Sequence, residues 1–309
     1  MTVSITNYIE NIPTKHTTVE NISTDMTVRE SLDFKLDSTI PKYWFDNDPV
    51  KTRMLEAVCA TFPEGEKYFI QSVRHFREKI QSPKLKEEVR QFIRQESQHG
   101  IIHTQFNDLL RQQGLPISKL EEALKQKLAF NQKKLSPEMN LAITAACEHL
   151  TACFVDCFFR NHETMAGVKD ARVLAMLAWH SIEEMEHKSV AYDVMEYVAR
   201  VPYFQRVGAM LFLTADMTRE LISNTNAFLK ADGFSLSKRV KHIARGLHWG
   251  FNRKGILAPM AKTWLEYFLP DFHPSHAPHI AQYSTWLDVY ALTYDPIQAG
   301  EAFHRAAKK

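Results

Sequence analysis

Gln95-Glu96-Ser97-Gln98-His99 and Trp179-His180-Ser181-Ile182-Glu183-Glu184-Met185-Glu186-His187-Lys188 decide how this chain is read. Each holds a Glu-x-x-His pair, Glu96/His99 and Glu184/His187, within a stretch of helical periodicity. Residues three apart on a helix project from one face, so each pair can bring a carboxylate and an imidazole to one metal ion. A single glutamate stands upstream of each pair, Glu66 before the first and Glu148 before the second. One glutamate from each of two helices, plus Glu-x-x-His from each of two others, is the donor set of dinuclear carboxylate bundles.

Pair number alone decides little. With 22 Glu and 14 His in 309 residues, random placement yields roughly one Glu-x-x-His, and three occur. The third, Glu301/His304, is taken as accidental. Order and spacing say more: 30 residues separate Glu66 from Glu96, 52 separate Glu96 from Glu148, and 36 separate Glu148 from Glu184. A helical hairpin returns to the same level after about 30 residues, at 1.5 Å rise per residue. The longer middle interval suits a crossover between two hairpins.

The surrounding sequence predicts helices throughout, with 10 glycines and no strand-type alternation. A first helix is expected from about Asp48 to Lys79; Pro63 and Gly65 either kink it before Glu66 or mark where a new helix begins. Ser82-Pro83 opens a second, ending near Gly114, and a short crossover helix runs from Ser118 to about Asn131. A third is expected from Ser136-Pro137 to about Met165, and a fourth from after Gly167 to before Pro202. Three more follow: Phe204 to Lys230, Ser237 to Phe251 and Leu257 to Phe268. A Pro- and His-bearing segment, Pro270 to Pro278, with His273, His276 and nearby His279, reads as a structured surface loop. The expected division is 1–40 extended or poorly ordered, 41–200 the metal-binding bundle, and 201–309 C-terminal helices packed on it, as one domain.

The formal net charge of +2 gives no electrostatic case for nucleic acid or an anionic membrane. The longest apolar run, near Val207 to Ala215, is far short of a membrane span of roughly 20 residues. The polar first 30 residues lack a signal-peptide layout, so a cytoplasmic location is expected. Cys59, Cys147, Cys153 and Cys157 form no Cys-x-x-Cys and read as buried free thiols.

Within the proposed site, Glu96, His99 and His103 share one helical face, as do His180, Glu184 and His187. Burying several acids and imidazoles together makes sense when a cation neutralises them. His103 reads as a core residue or one that supports a ligand; Glu183, Glu186 and Lys188 read as a solvated or inter-helix face. Phe62, Phe69, Ala152 and Phe154 are expected to wall the cavity.

Phe62-Pro63-Glu64-Gly65-Glu66 with Ser72-Val73-Arg74, and the two stretches quoted at the start, resemble the bacterial family labelled "predicted metal-dependent hydrolase". The resemblance runs from about Arg29 to Pro274 and implies a ferritin-like four-helix bundle with the same six ligands. His180-x-x-x-Glu184-x-x-His187 is also similar to the fourth-helix motif of di-iron p-aminobenzoate N-oxygenases, which implies His180 as a seventh ligand. The expectation is therefore an all-α, ferritin-like bundle with additional C-terminal helices. Glu66, Glu96, His99, Glu148, His180, Glu184 and His187 hold two metal ions, with Glu96 or Glu148 bridging. Iron is expected first, with manganese or zinc as alternatives. The expected activity is O2-dependent oxidation of a small organic substrate; the alternatives are a metal-dependent hydrolase and a non-catalytic bundle. An electron donor and a second copy of the chain are left open as partners.

Overall fold

The computed structural model describes residues 26–252, 255–276 and 283–306. Among them no strand forms; Phe45 and Val168 make an isolated antiparallel bridge. The helices are α1 (Pro49–Cys59), α2 (Phe62–Arg74), α3 (Pro83–Gln112), α4 (Ile117–Lys134), α5 (Pro137–Arg160), the short α6 (His162–Met165), α7 (Ala171–His187) and α8 (Val190–Asp193). Beyond them come α9 (Tyr203–Ala231), α10 (Leu236–Phe251), α11 (Leu257–Glu266), α12 (Tyr283–Thr293) and α13 (Pro296–Ala306).

Local chemistry sets the ends of the bundle helices. Asp48 caps α1 through its side chain, and Ser82, Ser136 and Asp170 do the same for α3, α5 and α7. Each satisfies backbone N–H groups that the first turn leaves without partners. Gly114, at φ +89°, closes α3 in the left-handed conformation that glycine adopts without strain. Between α1 and α2 the chain breaks at Ala60-Thr61, and α2 starts with Pro63 in its first turn. Of the two readings at Pro63, a new helix is the one the chain adopts, because proline's missing N–H costs nothing there.

Four helices close a ring: α2 packs on α3 and α5, and α7 packs on the same two. This is an all-α four-helix bundle. α4 crosses between α3 and α5, α9 lies against α1 and α5, and α13 lies against α7. Gly300 permits that last contact, since a Cβ there would stand 2.6 Å from Ala175 Cα.

Several expectations are corrected. The third helix stops at Arg160, since Asn161 leaves helical geometry and its side chain accepts from Thr164 N at 3.0 Å. The fourth stops at His187; α8 and a π-helical turn, Val194–Val198, complete the path to Pro202. Two helices, α12 and α13, lie beyond the three expected after Pro202; Trp286, Ala299 and Phe303 bury their apolar faces. Residues 26–40 are non-helical yet packed, with Leu32, Phe34 and Ile40 in the core. The earlier part of the 1–40 segment, and His279, lie outside the described residues. Among the described residues one helix, α5, is long and apolar enough to cross a membrane, although its apolar run is interrupted; 72% of its apolar window is buried within the protein. The four cysteines are free, three of them buried and Cys147 half-buried.

Candidate metal centre

Each bundle helix delivers its acid or imidazole to the interior. Glu66 comes from α2, Glu96, His99 and His103 from α3, Glu148 from α5, and His180, Glu184 and His187 from α7, all buried. Two apolar clusters meet around them. One supplies Trp179, whose ring stands 5.0 Å from that of His99; the other supplies Phe92, 5.1 Å from His187. Gly100 on α3 lies against Glu66: a Cβ there would stand 3.4 Å from the carboxylate, an ordinary contact.

The donors fall into two groups. Glu96, His99, Glu184 and His187 place one ligand atom each within 4.8 Å of the others, and Glu66, His103 and His180 do the same. His187 Nε2 faces Glu96 Oε1 at 3.4 Å and Glu184 Oε1 at 3.8 Å, while His99 Nδ1 lies 3.7 Å from Glu184 Oε1. Glu184 Oε1 also lies 3.1 Å from His180 Nε2, so this carboxylate touches both groups. Glu148 stands outside both, with Oε2 3.0 Å from His187 Nδ1. His103, read from sequence as a core or supporting residue, is in the second group, its Nε2 2.6 Å from His180 Nδ1.

Both oxygens of Glu66 and of Glu96, one each of Glu148 and Glu184, and the inward nitrogens of His99 and His187 are buried without a hydrogen-bond partner. An isolated buried carboxylate is expensive unless something neutralises it. Without a cation the cluster holds protons instead. Burial, then the charges of Glu184 and Glu148, push Glu66 well above the carboxylate range. Burial, with Glu148 and Glu184 next, does the same to Glu96. Burial and Glu184 raise Glu148 to about 7. Glu184 is the exception: burial acts upward, but His187 and His180 outweigh it and hold the group low. Burial acts downward on His187, yet Glu184 and Glu148 carry it up to about 9. His99 and His103 are held well below the usual imidazole value, chiefly by burial. Mixed oxygen and imidazole donors of this kind suit iron, manganese or zinc.

Behind the donors lies a second set that the sequence reading placed on a solvated or inter-helix face. His99 Nε2 donates to Glu183 Oε2 at 3.1 Å, which turns Nδ1 inward. Glu183 accepts from Trp179 Nε1 at 2.9 Å and Arg29 Nη1 at 3.1 Å. Arg29 Nη2 also reaches Glu186 at 2.7 Å, where Gln95 and Tyr283 donate as well. Arg29, Glu183, Glu186 and Lys188 are all buried, so that face is internal. Arg29 went unnoticed in sequence because it sits in a polar segment with no periodicity. Of the expected cavity walls, Phe62 and Phe154 line a void of about 30 Å³ beside His180, Ala152 lines a different cavity, and Phe69 lines neither.

Fold and site together define a helical-bundle protein with a buried acid–imidazole cluster suited to two cations. The sequence profile of the family described as predicted metal-dependent hydrolase matches residues 28–277. The chain belongs to that family. No curated protein and no solved structure matches it.

Proposed function

We propose that the chain is a dinuclear metal-dependent hydrolase that cleaves an ester or amide in a small, largely apolar substrate. One observation supports this most directly: the inward atoms of a buried acid–imidazole cluster lack protein partners, in a member of a predicted metal-dependent hydrolase family. In this reading Glu96, His99, Glu184 and His187 hold one ion, and Glu66, His103 and His180 hold the other. Glu184, rather than Glu96 or Glu148, would be the carboxylate available to both, because it lies near both groups. When bound, a redox-inert pair supplies an acidified water and a Lewis acid, and an iron pair supplies electrons to O2. The protein's own work is orientation and exclusion of water. Glu183 and Glu148 fix the rings of His99 and His187 through their second nitrogens. Phe62 stacks on His180 at 4.8 Å and shields the second group.

O2 activation is the second reading, and one feature favours it. The void beside His180 is walled by Leu55, Val58, Phe154, Val155, Phe158 and Leu177, apolar room that suits a small gas better than water. Anaerobic assay separates the two. Hydrolysis of a nitrophenyl ester panel by zinc- or manganese-loaded protein, unchanged without oxygen, supports the hydrolase. No hydrolysis, with an absorption change when O2 meets the reduced iron-loaded protein, replaces it with the oxidative reading.

A further inference from the structure

A second cavity, of about 440 Å³, opens between α5, α7 and residues 263–276, and no residue of the donor cluster lines it. Its size falls within the roughly 300–1,000 Å³ of small-molecule sites. The Pro- and His-bearing segment forms one wall. His273 is fixed there by donating from Nε2 to Asp193 at 2.8 Å, and His149 on α5 by donating from Nε2 to Thr263 O at 3.0 Å.

We propose that this cavity binds a small carboxylate with an apolar body, the carboxylate on Lys188 and the body against Ala152, Met185 and Phe272. The proposal goes beyond the hydrolase reading and does not rest on it. Charge is arranged by depth. Lys188 and Met185, 6% and 3% exposed, are the buried members of the cavity's α7 side. Asp156 pairs with Arg160 Nε at 2.6 Å, and both are more exposed than Lys188. Of the other acids of the lining, Asp271 is exposed and Glu266 half-buried. With a buried lysine beside buried Met185 and Ala152, an anionic head is held on the inner side and an apolar body fills the space next to it. The cysteine of the lining does not compete as a nucleophile. Burial pushes the Cys153 thiol up to about 12, and the neighbouring His149 nitrogen already donates to Thr263 O.

Phenylbutyrate, phenylbutanol and phenylbutylamine share one body and differ in head group, which makes them direct probes by titration calorimetry. The metal-loaded full chain is expected to take up one phenylbutyrate, about tenfold more tightly than phenylbutanol, the discrimination typical of a hydrogen bond to a charged group. Phenylbutylamine is expected to bind more weakly than either. Lys188→Met keeps the apolar stem and should erase the preference for the carboxylate. Ala152→Trp fills the cavity from the α5 side and should abolish uptake of all three. Metal content equal to wild type shows that each variant keeps its bundle. Tighter binding of the amine, no binding of any probe, or phenylbutyrate binding unchanged in both variants overturns the proposal; the last would place the probe on the metals.

Discussion

α3 and α7 carry the same Glu-x-x-His motif, yet the two histidines are supported differently. His99 is backed by Glu183, an acid held by Trp179 and Arg29 and raised to about 8 chiefly by burial. His187 is backed by Glu148, which has one oxygen on the imidazole and the other without a partner. Glu183 is thus committed to orienting a ring, whereas Glu148 has an oxygen left to offer an ion. Equal motifs in sequence become unequal positions because α5 faces one histidine directly and the N-terminal segment reaches the acid behind the other.

The sharpest way to break the comparison is to remove a donor from each arm. Glu96→Ala and His187→Ala are each expected to lower bound metal from about two per chain to one or none, measured by elemental analysis. Retention of both ions in both variants would take these residues out of the site. Next in size is Arg29→Met, which leaves Glu183 and Glu186 buried without their cation. Breaking such a pair costs about 3–5 kcal/mol, to be read from denaturant unfolding. A cost below about 1 kcal/mol would mean that Trp179, Gln95 and Tyr283 satisfy those acids unaided.

Glu183→Gln and Glu148→Gln then sharpen the difference itself. The first should weaken metal binding about 10–100-fold through the orientation of His99 alone. The second should weaken it more, since the amide keeps one oxygen and cannot both accept from His187 and offer an oxygen to an ion. Equal losses would make Glu148 a mere orienter. The smallest effect is on pH dependence. Glu66, Glu96, Glu148 and His187 all have raised values in the metal-free fold, so the stability they contribute is present at low pH and lost as pH climbs through those values. The metal-loaded protein lacks this loss, because the ions replace the protons. Between about pH 7 and 9 the gap in melting temperature between loaded and metal-free protein should therefore widen. A constant gap would place the carboxylates in contact with solvent.

Much of the bundle was legible in the chain. The serines at 82 and 136 start their helices where cap chemistry expects, and the glutamate spacings bring the four bundle helices to one interior. Helical reach is a local property, so three- and four-residue steps suffice to align His180, Glu184 and His187. Less legible were the segments whose partners are remote. Nothing near Tyr283 or Phe303 signals that α13 will cover α7, and nothing near Arg29 signals Glu183 and Glu186, more than 150 residues away.

The sequence by itself determined an all-helical chain, the positions of its caps and breaks, and which acids and imidazoles share a helical face. Tertiary structure alone decided the grouping across helices: His103 with Glu66 and His180, Glu148 behind His187, and Glu183 behind His99. The physical reason is that a helix fixes the direction of each side chain relative to its own axis. Which donors meet depends on the rotation and offset between helices, set by the packing of apolar surfaces far from the motifs.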